Sequence, residues 1–147
     1  LKHTLLKGTF ILSLLFALIY CGDSGTSPDQ REYVLPDENL SYYDDLQPMF
    51  NGKCGFGSEC HAPDNSELYI NFTDRDAFIN YTVSVTGLPL VRPLVDREAP
   101  ELSVLYQIVT ENYSGIERMP PLSMGREPLT QNQINGIKQW IAEGAKP

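Results

Sequence analysis

The chain is predicted to form a small, mostly α-helical domain with long loops, carried behind an export segment. Three observations lead there. Apolar residues recur at helical spacing near positions 46–50, 102–109 and 134–141. Long stretches containing Pro and Gly separate these runs. A basic and then apolar N-terminus precedes them all.

The 147 residues, 41% hydrophobic and 20% charged, provide for one modest core. The net charge is −8. Removing the first 20 residues takes away Lys2 and Lys7 and no acid, so the remainder is more acidic by two. Such a surface repels nucleic acid, and no basic patch offsets it. The electrostatic partner expected is a basic protein surface.

Residues 1–20 read as a signal peptide. Lys2, His3 and Lys7 are its positive region, and Phe10 to Tyr20 is apolar except for Ser13. That run has the length of a signal's apolar core and is short for a bilayer span. Cys21 follows directly, then Gly, Asp, Ser, Thr and Pro. The arrangement resembles a bacterial lipoprotein signal, in which the cysteine becomes the lipidated N-terminus. Tyr20 stands where that pattern has a small residue. The alternative is a secreted soluble protein cut nearby. Residues 21–40 are expected to be a flexible tether, with the globular domain over 41–147.

Within the domain, Asp44 or Asp45 is placed to cap a first helix, with Pro48 in its first turn. Leu46, Met49 and Phe50 form its buried face, and it runs into Gly52 and Cys54. Residues 62–72 read as a loop with a short extended piece at Leu68, Tyr69 and Ile70. Thr73 and Asp76 mark the start of a short helix over Ala77, Phe78 and Tyr81. Thr82 to Val95 mixes β-branched residues with Gly87, Pro89 and Pro93, and reads as extended loop. Pro100 opens the next helix, whose apolar face is Leu102, Leu105, Tyr106, Ile108 and Val109. A loop over 111–129 carries Arg118, Met119, Pro120, Pro121 and Met124. In the last helix, Thr130 and Gln133 form a capping box, Ile134, Ile137, Trp140 and Ile141 make one stripe, and Gly144 is the stop.

The chemistry-bearing segment is Cys54, Gly55, Phe56, Gly57, Ser58, Glu59, Cys60, His61. Two nearby thiols with a histidine directly after the second are how a protein attaches haem and supplies an axial ligand. The usual spacing leaves two residues between the thiols, and here there are five. Gly55 and Gly57 would let the extra residues loop outward. The sixth ligand expected is Met119, in a loop stiffened by Pro120 and Pro121, with Met124 close by. Met49 belongs to the core face.

Other readings of the same residues stay open. The two thiols could form a disulfide, giving a haem-free, disulfide-stapled binding or structural lipoprotein. Zinc needs about four ligands, and the only other histidine, His3, lies in the signal. A thiol oxidoreductase prefers Cys-x-x-Cys at a helix start within a βαβ pattern. If neither methionine reached the iron, the haem would be five-coordinate and open to a small ligand. Arg118 either neutralises a propionate or faces solvent, and Trp140 packs on the haem edge or simply in the core.

Taken in order, Leu46 to Phe50 leading to Cys54, Cys60 with His61, Met119 with Pro120, and Ile137 to Ile141 with Gly144 and Ala145 resemble the class I c-type cytochromes. The likeness is nearer still to the small cytochrome c-like domains of exported bacterial lipoproteins. It spans residues 44–145. It implies a helical cytochrome c-like domain folded around one covalent haem c, with the first and last helices crossing beside it. It implies thioethers at Cys54 and Cys60, iron ligation by His61 and Met119, and single-electron transfer to a redox protein. With lipid on Cys21, the protein is expected on the periplasmic or outer-surface side of a bacterial membrane. No acid–base or nucleophilic set suggests an enzyme. The role of electron-entry subunit in a larger oxidoreductase stays open.

Overall fold

Residues 32–55 and 60–147 are described by the computed structural model. The expected signal, Cys21, Gly57 and residues 21–31 of the expected tether lie outside them. Among the described residues, no helix is long and apolar enough to cross a membrane.

The first helical segment starts at Ser41, which is extended and whose hydroxyl accepts the Asp44 N–H. Ser41 therefore caps in place of Asp44 or Asp45. Asp45 reaches back instead to the Ser41 N–H (2.8 Å). A π-helical turn over Tyr42–Leu46 follows, and the Leu46 N–H reaches the Ser41 carbonyl five residues back (3.3 Å). It passes into α1, Gln47–Lys53, with Pro48 in its first turn and Cys54 as its C-cap. Leu46, Met49 and Phe50 are buried, as their spacing predicts.

Helix α2, Arg75–Ile79, is capped by Asp74, whose carboxylate accepts the N–H groups of Asp76 and Ala77. Thr73 was the expected cap, but its hydroxyl bonds to Asn71 instead (2.8 Å). Tyr81 falls just beyond the helix. The stretch expected as loop from Thr82 contains a small antiparallel hairpin. Strand β1, Thr82–Val83, pairs with β2, Leu88–Pro89, in the register Thr82↔Pro89 and Val83↔Leu88. Gly87, at φ 66°, makes the connecting turn possible. A short α3, Pro93–Asp96, follows.

The helix expected from Pro100 is broken in two. A 3-10 turn over Pro100–Leu102 stops at Ser103, which is extended and caps α4, Val104–Thr110. The break rotates Leu102 out of the apolar face, and it is 61% exposed. The final helix α5, Gln131–Ala142, carries both halves of its Thr130–Gln133 capping box. Its end is a Schellman motif. The Gly144 N–H reaches Ile141 O (2.9 Å), the Ala145 N–H reaches Trp140 O (2.8 Å), and Gly144 has φ 91°.

Ile137, Trp140 and Ile141 are fully buried in one core, at whose centre several aromatic rings meet. Tyr42 lies 5.6 Å from Trp140 and 5.5 Å from Phe78, and Phe50 lies 4.7 Å from Phe78, between ring centroids. The Tyr42 hydroxyl donates to Phe72 O (3.0 Å) and the Trp140 indole to Lys146 O (2.8 Å), so both polar tips are satisfied.

Residues 32–40 correct the expected boundary of the domain. Leu35 and Leu40 are buried, and the segment forms a strap along α5 rather than a tether. Asn132 holds Leu35 by both its N–H (2.8 Å) and its carbonyl (3.0 Å). Gln133 donates to Tyr33 O (3.0 Å), and Glu143 accepts the N–H groups of Asn39 (2.7 Å) and Leu40 (3.0 Å). A β-carbon at Gly136 would sit 2.5 Å from Leu35, and one at Gly52 would sit 2.0 Å from the Tyr33 hydroxyl. The strap thus fills notches in both α5 and α1.

Candidate cofactor cavity

Helix α1 ends at the cavity. Phe50 and Lys53 line it, and Cys54 follows at the C-cap. The His61 N–H then bonds back to the Cys54 carbonyl (3.0 Å). Cys60 and His61 are thereby brought to the end of α1, whatever the intervening residues do. Gly55 is needed here for space rather than for its backbone angles. A β-carbon there would meet Asn51 O at 3.1 Å and the Phe72 ring at 3.3 Å. Cys54 and Cys60 are both free thiols, half-buried.

The cavity has a volume of about 320 Å³, in the lower part of the usual range for small-molecule sites. Its walls come from several separate segments between α1 and the loop after α4. Loop 60–72 adds Leu68, Ile70 and Phe72. The hairpin region adds Tyr81, Val83, Ser84 and Val85, and α4 adds Leu105, Ile108 and Val109. The loop after α4 adds Ile116, Met119, Pro120, Pro121 and Met124. Met119 is fixed against α4 by its N–H bond to Ile108 O (2.8 Å). It is half-buried against the core, whereas Met124 is 41% exposed.

Cys54, Cys60, His61 and Met119, drawn from distant parts of the chain, therefore face one apolar space. Met124 joins them. Arg118 does not. It lies in a separate polar cleft with Glu111, Asn112 and Glu117. Trp140 does not line the cavity either; its place is in the core between Tyr42 and Phe78. The α4 contribution was legible as an apolar face, while the hairpin residues carried no sequence signal.

The electrostatics suit neutral ligands. Burial pushes the Cys54 thiol up to about 12; the neighbouring Cys60 adds to this, and Lys53 opposes it. A thiol so raised stays protonated and lacks the thiolate of redox-active Cys-x-x-Cys sites. Burial also lowers His61 below its ordinary value, against a smaller opposing effect from the Leu68 carbonyl. The Nδ1 atom of His61 contacts Leu68 O. A carbonyl only accepts, so Nδ1 carries the proton and the lone pair is left on Nε2. The Phe72 ring meets the imidazole edge-on, 6.5 Å between centroids. Among the described residues, no group of three or more His, Cys, Asp or Glu is placed to hold a metal ion on its own.

Comparisons with protein-family models, with curated proteins and with solved structures each found no match. What the cavity can take must be argued from its own chemistry. A flat, largely apolar macrocycle with a metal centre and two thiol-reactive substituents fits this donor set. It needs apolar walls, two thiols, a neutral imidazole with Nε2 free, and a soft sulfur ligand, all of which line one space.

Proposed function

We infer that the protein is a single-electron carrier with one covalently attached haem c. Thioethers form at Cys54 and Cys60, and the iron is held by His61 and Met119. The observation that supports this reading is the meeting of those four residues in one apolar cavity. A disulfide-stapled lipoprotein has no need for an imidazole and a methionine beside its two sulfurs.

Bound there, a haem iron supplies reversible ferric–ferrous chemistry. The chain does the rest. Leu68 O holds the proton on Nδ1 of His61, so that Nε2 is the ligating nitrogen. Met119, seated by its backbone on Ile108, presents a thioether that favours the ferrous state. Phe50, Phe72, Phe78, Ile108 and Val109 keep water from the site, which lowers its dielectric.

The acidic surface favours a redox partner with a basic face. Export behind residues 1–20 and lipid on Cys21 would hold the domain on the periplasmic or outer side of a bacterial membrane. In this reading the protein carries electrons and catalyses no reaction of its own. Expression in a host with haem-attachment machinery tests it. The purified protein should be red and keep its colour through acid–acetone extraction. Colour that is lost on extraction, or never present, rejects covalent haem.

A further inference from the structure

The sulfurs and the imidazole account for the centre and one edge of the proposed group, but a haem also carries two carboxylates. These sit on the pyrroles opposite those that take thioethers, so the cavity must treat its two ends differently. Three lining residues other than the sulfurs and His61 bear hydrogen-bond donors: Lys53, Tyr81 and Ser84. Lys53 is the buried last residue of α1, directly before Cys54. Arg118 lies in the other cleft. Tyr81 directly precedes β1, where its carbonyl accepts the Leu90 N–H (3.0 Å), and Ser84 opens the turn directly after β1. Tyr81 is half-buried and Ser84 is exposed, as suits the mouth of an apolar space. Neither hydroxyl has a hydrogen-bond partner among the described residues.

We propose that Tyr81 and Ser84 are positioning residues that receive the carboxylates of the bound group, so that the hairpin is the acid-reading end of the cavity. This rests on the haem reading and adds the orientation of the group within it. Neutral hydroxyls beside carboxylates leave the acids ionised at the mouth without burying a second cation, and they discriminate the acid from its ester. The titratable side chains that line the cavity, from every element around it, are Lys53, Cys54, Cys60, His61 and Tyr81 itself.

The test uses the full chain made without haem-attachment machinery, titrated with metal-free protoporphyrin IX and with its dimethyl ester. Neither probe forms thioethers. Fluorescence should show the diacid binding about tenfold or more tighter than the ester to the wild-type chain. In the Tyr81→Phe/Ser84→Ala double variant that ratio should collapse to within about twofold. Thr82→Val, which removes a hairpin hydroxyl that does not line the cavity, should keep the wild-type ratio. A ratio unchanged in the double variant, or equal binding of both probes by the wild type, overturns this assignment alone. A wild-type chain that binds neither porphyrin overturns the assignment too, whereas the haem reading is rejected separately, by loss of colour on acid–acetone extraction of the loaded protein.

Discussion

The strap edge and the cavity wall are built on opposite plans. Residues 33–40 are closed by side chains that satisfy backbone groups about a hundred positions away, and by one glycine notch in α5 and one in α1 that a methyl group would fill. Around the cavity the walls are apolar, the His61 Nε2 lone pair is unused, and two thiols and two thioethers face the same space. The first region is closed by the chain itself; the second is an apolar space lined by sulfur and imidazole. The contrast teaches that stability and function are only partly separated here, since Tyr42 and Trp140 pack behind the cavity while Phe78 both packs on them and lines it.

Substitutions can break that separation. The largest effect should come from Trp140→Ala, which empties the centre of the core and should cost about 3–5 kcal/mol in denaturant unfolding. Next is Gly136→Ala, whose added carbon would press on Leu35. We expect a loss of about 1–3 kcal/mol, partly relieved when Leu35→Ala is made alongside it. Additive losses in that cycle would mean that the strap does not sit in the notch.

A smaller effect belongs to Glu143. Partial burial draws its carboxyl upward, but hydrogen bonds from Gln139 and from the Asn39 and Leu40 N–H groups outweigh this and leave it below its ordinary value. A depressed carboxyl stabilises the fold above its unfolded value of 4.5 and loses that contribution as pH falls through the folded value. Glu143→Gln should therefore be less stable than wild type at neutral pH, by less than about 1 kcal/mol because solvent screens the carboxylate. The gap should close in acid well below that value. A gap that persists there would remove the strap clamp from the account. Met119→Leu conserves volume and should also cost little, under about 1.5 kcal/mol in the haem-free chain. In the loaded protein, Met119→His should lower the reduction potential, read by voltammetry, and change the visible spectrum. An unaltered spectrum would hand the sixth position to Met124.

Much of the helical frame was legible because its signals are local. The capping box at Thr130 and Gln133 and the stripe of Ile137, Trp140 and Ile141 lie within one element. So do Leu46, Met49 and Phe50. Caps were misread by one to four positions, because Ser41, Asp74 and Ser103 compete with neighbours of the same chemistry. The choice among them depends on which residue is extended. Ser103 also explains why Leu102 is exposed, since a cap inside an apolar run divides its face. The strap was illegible in principle. Tyr33, Val34, Leu35 and Leu40 show no helical or strand period, and the strap's partners are Asn132, Gln133 and Glu143 at the far end of the chain. In the cavity, the residues with distinctive chemistry could be named from sequence. Its hairpin wall could not, because Val83, Ser84 and Val85 are ordinary until a turn at Gly87 folds them over the space.

The measurement that bears most directly on the account is peptide mass spectrometry of the fragment spanning Cys54 to His61, from protein made in a haem-attaching host. It should be heavier by one haem, with neither thiol open to alkylation before or after reduction. A fragment without added mass, whose two thiols alkylate once a disulfide is reduced, would contradict it.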